Sequence, residues 1–459
     1  MNNTHGSITL LAISLVTGCF LPGIACSTTL KECVISAIAN SPGLSAEHHL
    51  IAADDADVSK KRATTLPYLS SQIQGYEVNG MPVTPWVPSG VFQPENGVGR
   101  RGAHWAPIGI ESIGVTYPII YEGSVFGLND PPAVAAARAQ MTQEELVEVL
   151  REQKIVFDVV SDFIRVASYR QQIAIYNRIL ALSRKELGII EEQVHLGHKL
   201  PQEEQIFRSE LSALEYARSA IQENTNNFAS DLANMVGGLN NGSEDRAIQI
   251  DDELPQLTPL PPLSQLLDQV MPGHPVLLVE NTKTEIVQQQ LRVDEANRWP
   301  TASFSTSFGA AQDLAYFSGS ATHLRPTAFE AYLTLTIPLY DFGGRQAAVR
   351  ESRENLAAQK KNLEQLDLEV RSSITQEYGE ILQDTALMLK LQSGLEKDNA
   401  NLDLVRAQLD EGKVDRLTAL TAESVTLQEG LAIQAQALAE RLKYAELQNL
   451  SAGRWRWAP

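Results

Sequence analysis

Two histidines, His195 and His198, stand three residues apart on either side of Leu196-Gly197. That spacing can aim two imidazoles at one metal ion, but a tetrahedral site needs two further ligands. No carboxylate or cysteine cluster adjoins the pair, so neither a metal nor a cofactor is expected. His48-His49 reads as a solvated pair. The chain contains no GxxxxGK[ST], HExxH or GxSxG pattern, which leaves ATPase, metalloprotease and hydrolase chemistry without a foundation. The expectation is a protein that is not an enzyme. One acidic group stands out by position: Asp403, Asp410 and Glu411 crowd the approach to Gly412.

Composition narrows the classes further. The 459 residues carry 37 Lys+Arg against 56 Asp+Glu, a net charge of −19. That balance argues against nucleic-acid binding, which needs a basic patch. Apolar residues make up 43% of the chain, enough for a core, so global disorder is out. All three cysteines (Cys19, Cys26 and Cys33) fall in the first 33 residues, which excludes a disulfide scaffold.

The apolar stretch Ile8 to Ala25, broken by Pro22-Gly23, reads as an export signal over residues 1–25. An uncleaved anchor is the alternative, because His5 and no Lys or Arg precedes it. Val16-Thr17-Gly18-Cys19 resembles a lipobox, and Cys26 is a second lipidation candidate. No other stretch approaches the ~18–20 uncharged apolar residues of a transmembrane helix. A membrane protein with this sequence spans by strands.

The elements that must position these residues occur twice. Pro42 and Pro275 each open a helical pattern, and Pro67 and Pro300 each open a strand, with 233 residues between the members of each pair. Val115–Gly123 matches Leu335–Gly343 at an offset of 220, and Val194–Gly197 matches Leu409–Gly412 at 215. Slowly shrinking offsets in conserved order predict an internal two-fold repeat with trimmed loops. The expected units are residues 30–238 and 263–453, joined by a Gly-, Asn- and Pro-rich linker at 239–262 and followed by a tail at 454–459. Each unit runs helix, strand, loop, strand, very long helix, helix. The loops are expected at Asn79–Pro107, which includes Gly99-Arg100-Arg101-Gly102, and at Ala310–Thr327.

No proline interrupts Ala133–Leu200 or Leu339–Ala458. Phe157, Val160, Ile164 and Ala167 follow coiled-coil spacing. Helices over Val134–Gly197 and Arg345–Glu411 would each be about 100 Å long and carry charge throughout, so they cannot lie in lipid. The strands alternate instead. From Phe329 to Tyr340, Phe329, Ala331, Leu333, Leu335, Ile337 and Leu339 oppose Glu330, Tyr332, Thr334, Thr336 and Tyr340. Ala302, Phe304 and Phe308 oppose Thr301, Ser303, Ser305 and Ser307. Ile113, Val115, Tyr117 and Ile119 alternate with Ser112, Gly114, Thr116 and Pro118. This is the apolar-to-lipid, polar-to-lumen pattern of membrane strands. Tyr68, Tyr76, Trp105, Tyr121, Trp299 and Tyr340 lie near strand ends, where an interfacial aromatic girdle belongs.

Four strands cannot close a barrel, and an open edge in lipid leaves unpaired N–H and C=O groups. Two chains would give an eight-stranded, side-chain-filled barrel, while three would give twelve strands and an open bore. The expected fold is a mixed α and β membrane protein: a trimeric transmembrane β-barrel with four strands per protomer, continued by a long α-helical coiled-coil tunnel.

The sequence resembles the TolC-like outer membrane factor family from about Leu30 to Gly453. The segments that carry the likeness are Leu30–Val34 through Asn40-Ser41-Pro42, Pro67-Tyr68-Leu69, Ile337–Arg345, Glu411-Gly412 and Leu417–Leu427. It departs from the family pattern at Tyr121-Glu122-Gly123-Ser124, which has one glycine where the family has two. The resemblance implies an outer-membrane duct of a tripartite efflux or type I secretion system in a Gram-negative bacterium, with its helices in the periplasm. It would be a homotrimer fed by an inner-membrane pump and gripped by a periplasmic adaptor protein. It also implies that Gly197, Leu200, Gly412 and Leu417 mark adaptor-docking tips; a glycine helix stop with a packed leucine is the other reading. Asp403, Asp410 and Glu411 would ring the pore entrance with negative charge, Asp403 foremost, or else form a solvated helix face. Outside the resemblance, a periplasmic or secreted helical scaffold without a pore remains the alternative. The transported cargo is not legible, because the pump that selects it is another chain.

Overall fold

A computed structural model of the chain describes residues 29–78, 106–237, 254–313 and 327–453. Residues 1–28 (with Cys19 and Cys26), 79–105, 238–253, 314–326 and 454–459 lie outside the described residues, and with them the expected signal, much of both expected loops, most of the expected linker and the expected tail.

Two helices open the chain, α1 (Leu30–Asn40) and α2 (Pro42–Ala63). Thr29 and Glu32 form a reciprocal capping box on α1. Ser41 then ends α1 and starts α2: its hydroxyl accepts from the Leu44 N–H at 3.3 Å, and Pro42 occupies the first helical position. Strands β1 (Tyr68–Val78), β2 (Ala106–Tyr121) and the two-residue β3 (Ser124–Val125) follow. Next come the 64-residue α3 (Pro132–His195) and α4 (Pro201–Val236). The second half begins with α5 (Leu263–Val270) and α6 (Pro275–Ala296). It continues through β4 (Thr301–Asp313) and β5 (Thr327–Thr336) to the 67-residue α7 (Gly344–Asp410) and α8 (Arg416–Leu450). At 1.5 Å per residue, α3 and α7 are each about 100 Å long. No described helix is apolar enough over sufficient length to cross a membrane.

The main strands form one antiparallel sheet in the order β1-β2-β4-β5, with β3 paired to the end of β2. The two halves of the chain therefore meet at the β2–β4 pair. Register sorts most of the side chains, although Ser71 and Thr306 fall among the apolar ones. Leu69 lies opposite Val115, Ile113 opposite Phe308, Phe308 opposite Phe329, and Phe304 opposite both Tyr117 and Leu333. Directly opposed residues share a face, so these apolar groups form one continuous surface. The other face carries Ser70, Thr116, Ser303, Ser305, Ser307 and Thr334, and on it the Thr116 and Ser305 hydroxyls lie 3.1 Å apart.

The alternation read from Phe329 to Tyr340 predicts a longer β5 than the structure contains. The strand stops at Thr336. Pro338 has no N–H to give a ladder, and the Asp341 carboxylate takes the N–H groups of Gly343 (3.2 Å) and Arg345 (2.8 Å). Those bonds turn the chain into α7. The helical patterns also resolve into more pieces than one per half, since α1 and α5 are separate short helices.

Packing is concentrated halfway along the long helices. Cys33 and Ala37 of α1 meet Val159, Phe163 and Val166 of α3 and Leu232 of α4. Leu266 and Val270 of α5 are buried with Ile164, Ile374, Ile381, Leu438 and Leu447. Leu254, Leu257 and Leu260 pack against this second cluster, so the end of the expected linker is part of the core. Each short helix thus plugs the gap beside a long one.

Cys33 is fully enclosed, and burial, with some help from neighbouring Glu32, pushes its thiol up to about 11. In a Cys19→Ser/Cys26→Ser background, the native protein should resist a thiol-specific reagent at pH 8, where about one part in a thousand is thiolate. It should react promptly once unfolded. Rapid stoichiometric labelling of the native state would contradict the packing of α1.

Candidate functional site

Both long helices end in the same turn. At the end of α3, the His198 N–H bonds the Gln193 carbonyl (2.8 Å) and the Gly197 N–H bonds Val194 (3.0 Å). At the end of α7, Lys413 bonds Gln408 (2.8 Å) and Gly412 bonds Leu409 (2.9 Å). These are Schellman closures, which need a left-handed residue at the position after the helix cap. Gly197 and Gly412 supply it at φ 76° and 73°. A Cβ at either position would meet nothing within 4 Å, so conformation alone demands glycine there.

The two turns lie side by side. The Lys199 ammonium is near enough to help stabilise the Asp415 carboxylate, after the stronger contributions from the Thr418 hydroxyl and the Thr418 N–H (2.9 Å). Asp415 is the N-cap of α8. Its counterpart at the start of α4 is Leu200, which caps nothing with its side chain and is 64% exposed. Leu417 is half-buried in the first turn of α8. Arg208 ties the start of α4 to α3 through Glu191 (2.6 Å) while holding Glu204 (2.8 Å). Arg406 does the same for the other pair, reaching Glu423 of α8 at 3.4 Å.

Asp403, Asp410 and Glu411 are all exposed on the last turns of α7 and its cap. Glu411 is paired with Lys413. Neither Asp403 nor Asp410 has an ion pair among the described residues. Asp403 falls in the heptad phase of Leu368, Leu382 and Leu389, which are 50–63% exposed along α7. The carboxylate at Glu396 continues that line, so the stripe changes from apolar to acidic as it nears the tip. His195 and His198 are exposed beside Gly197. Among the described residues, no group of three or more His, Cys, Asp and Glu is placed to hold a metal. The lipidation candidates Cys19 and Cys26 lie outside the described residues.

The opposite end of the long helices joins the sheet. Glu122 and Gly123 follow β2 with φ 46° and 78°, and Phe342 and Gly343 follow β5 with φ 56° and 88°. Both strand-to-helix corners therefore turn through the same pair of left-handed residues. Around them Trp299, Leu339, Tyr340 and Phe342 are 67–90% exposed, a concentration of bare aromatic and aliphatic surface at one level.

The arrangement is thus a continuous sheet with one apolar face, carried on helices of about 100 Å. Residues 266–452 match the family model described as outer membrane efflux protein, a family of transport ducts and not of enzymes. The likeness to the TolC-like outer membrane factors read from the sequence is thereby borne out. Comparison with curated proteins yields no match. Among solved structures, the chain is similar to CusC at 14% identity over 92% of this chain and 91% of that one, with a TM-score of 0.72. The outer-membrane channel OprN gives 14% identity, 94% and 91% coverage and a TM-score of 0.73. The outer membrane protein VceC from Vibrio cholerae gives 16%, 92% and 95%, and 0.71. At these identities the likeness establishes the fold.

Gly412→Val should loosen the tip by about 1–2 kcal/mol, the cost of forcing a branched residue into the left-handed region, while Gly412→Asn should cost much less. Hydrogen exchange across residues 405–420 reads the difference; equal protection in the two variants would show that the turn is not held by its backbone. Asp415 is held below the usual carboxylate range, so its capping contribution is present at neutral pH and fades as pH falls through its lowered value. Asp415→Ala should therefore loosen the same segment by about 0.5–1 kcal/mol at pH 7 and by progressively less as pH falls through the lowered value of Asp415.

Proposed function

We propose that this chain is the outer-membrane exit duct of a tripartite efflux or type I secretion system, assembled as a homotrimer with a shared twelve-stranded barrel and a shared helical tunnel. The observation that carries the reading is the open sheet. Its apolar face is bare: Leu69, Ile73, Phe329 and Leu333 are 64–78% exposed. Its outer strands β1 and β5 each have a partner on one side only. In lipid an unpaired backbone edge costs several kcal/mol per group, so the sheet must close. The all-antiparallel order sets β1 and β5 in opposite directions, and their lengths of 11 and 10 residues match. The β5 edge of one copy can therefore pair with β1 of the next. Three copies leave an open bore lined by the Ser/Thr face.

The long helices support the same assembly. Few positions of α7 are buried within one chain, and its exposed leucines recur at heptad spacing, which is what a seam between copies requires. On this reading the bare aromatic level around Trp299 and Tyr340 sits at the membrane–water interface, and the helices run into the periplasm. The parallel turns after β2 and β5, and after α3 and α7, support two copies of one unit at 30–238 and 263–453.

The tips at Gly197, Leu200, Gly412 and Leu417 are the surface offered to a periplasmic adaptor, behind which an inner-membrane pump supplies the cargo. Three copies of Asp403, with Asp410 and Glu411 beside it, give the entrance a negative ring that favours cations. Export by a signal at 1–25, with lipidation at Cys19 or Cys26, completes the outer-membrane assignment.

Extraction of the membrane fraction should require detergent and yield a particle of three chains. In planar bilayers the particle should conduct with a preference for cations, and Asp403→Ala should weaken that preference several-fold. Unchanged selectivity would remove Asp403 from the entrance. A monomer freely soluble in buffer would sink the duct and favour a scaffold.

A further inference from the structure

Near the tips, α3, α4 and α8 leave a half-open cavity of about 440 Å³ between them. Its floor is Glu186 of α3, only 3% exposed, whose Oε1 has no hydrogen-bond partner. Ser183 of α3 and Ser424 of α8 line the same space, Glu210 of α4 stands at its rim, and Phe207 and Leu211 form an apolar wall. No lysine or arginine is among the lining residues. An ionised carboxylate removed from water is costly unless a positive charge or a proton accompanies it, and among the described residues none that lines the cavity is a cation. The volume falls within the ~300–1,000 Å³ of small-molecule sites and greatly exceeds that of a bare ion. Two carboxylates are also too few to encage a calcium ion, which takes about 6–8 oxygens.

We propose that this cavity binds a small organic cation, a primary ammonium ion whose charge lies between Glu186 and Glu210 and whose apolar body rests on Phe207 and Leu211. The site belongs to a single chain, so it stands independently of the pore. When it is empty, desolvation, reinforced by the Glu210 charge, pushes the Glu186 carboxyl above the usual carboxylate range, so at pH below that raised value a proton occupies the place of the cation. Binding the ammonium to the protonated form releases that proton to solvent, and the site is then a carboxylate–ammonium pair. Affinity accordingly rises as pH climbs through the raised value of Glu186. Glu210 is the other titratable group facing the cavity, and it acts with Glu186 to attract the cation.

Isothermal titration of the full chain in detergent with benzylammonium chloride tests this, with benzyl alcohol as the uncharged control. One saturable site per chain is expected, tighter at pH 8 than at pH 5. At pH below the raised value of Glu186 its heat should change between buffers of different ionisation enthalpy, reporting proton release, and at pH 8 this buffer dependence should shrink. Glu186→Gln keeps the side chain's shape and should lower affinity by at least about tenfold, whereas the surface change Glu364→Gln should have no effect. The same Glu186→Gln variant should melt at a higher temperature than the parent at pH 8 and at the same temperature at pH 4, which checks both folding and the buried charge. Absence of saturation in the millimolar range, equal binding of benzyl alcohol, or full affinity in Glu186→Gln would each overturn the proposal.

Discussion

Backbone hydrogen bonding governs this molecule more than any side chain does. A sheet of four main strands satisfies its inner ladders, β1 with β2, β2 with β4 and β4 with β5, and leaves the outer side of β1 and of β5 unmet. In water such edges are tolerable, because solvent supplies the missing partners. Against hydrocarbon they are not. On the proposed reading the apolar face commits the sheet to hydrocarbon, so the face and the edges together would require further copies. Closely matched edge lengths and opposite edge directions suit that requirement. Each copy would present a head and a tail that fit each other, which generates a closed ring once the rotation per copy divides the circle.

The helices obey a different accounting. Every backbone group inside α3 and α7 is satisfied within its own helix, so length costs nothing in unpaired groups. What limits them is side-chain burial. α3 draws on α1, α2, α4, α6 and α8 for partners, and many of its residues are buried in one chain. α7 packs mainly on α6 and α8 and leaves Leu368, Leu389 and Leu404 57–63% exposed. The two halves of the chain repeat the same order of elements but are not equivalent in packing. The first-half long helix is a core element, and its second-half counterpart keeps a face in reserve. A tube built from such chains has one long helix per copy fixed within the protomer and one available for contact between protomers.

Much of this was legible because periodicity and punctuation are local. Alternation over Phe329–Leu335 and over Thr301–Phe308, freedom from proline through α3 and α7, and glycine at 197 and 412 are each visible within a few residues. Features resting on long-range contact were not. Glu186 sits among ordinary helix-surface residues, and the approach of α4 and of α8, the latter more than 230 positions later, turns it into a buried acid. Cys33 falls in the opening helix by sequence, but its enclosure depends on α3 and α4 closing over it. The end of β5 falls between these cases: Pro338 and Asp341 were in view, but alternation continues past them, and the backbone donors taken by Asp341 decide the matter. At the second tip, attention went to Leu417 while Asp415 supplies the cap; an acidic residue three positions before Thr418, ahead of a helical run, was a readable start signal.

The line from Leu382 through Leu389 and Glu396 to Asp403 joins the two ends of the duct reading. Along its first part the exposed groups are leucines, whose burial against a neighbouring copy is favourable at about 25 cal/mol per Å². Along its last part they are carboxylates, which in the proposed trimer would repel their counterparts in neighbouring copies. An ideal helix also drifts about 20° per heptad relative to a straight seam, so a line that faces a neighbour at Leu382 has rotated by about 60° at Asp403. In the proposed trimer, cohesion between copies would therefore be strongest near the barrel and the mid-helix core and weakest at the tips. A tube graded in this way would open at one end without disturbing the other, and the acid weakening the closed contact would be the same acid that meets a cation entering the bore. On that reading, closure of the tip and charge at its mouth follow from one change in residue type along a single helical stripe.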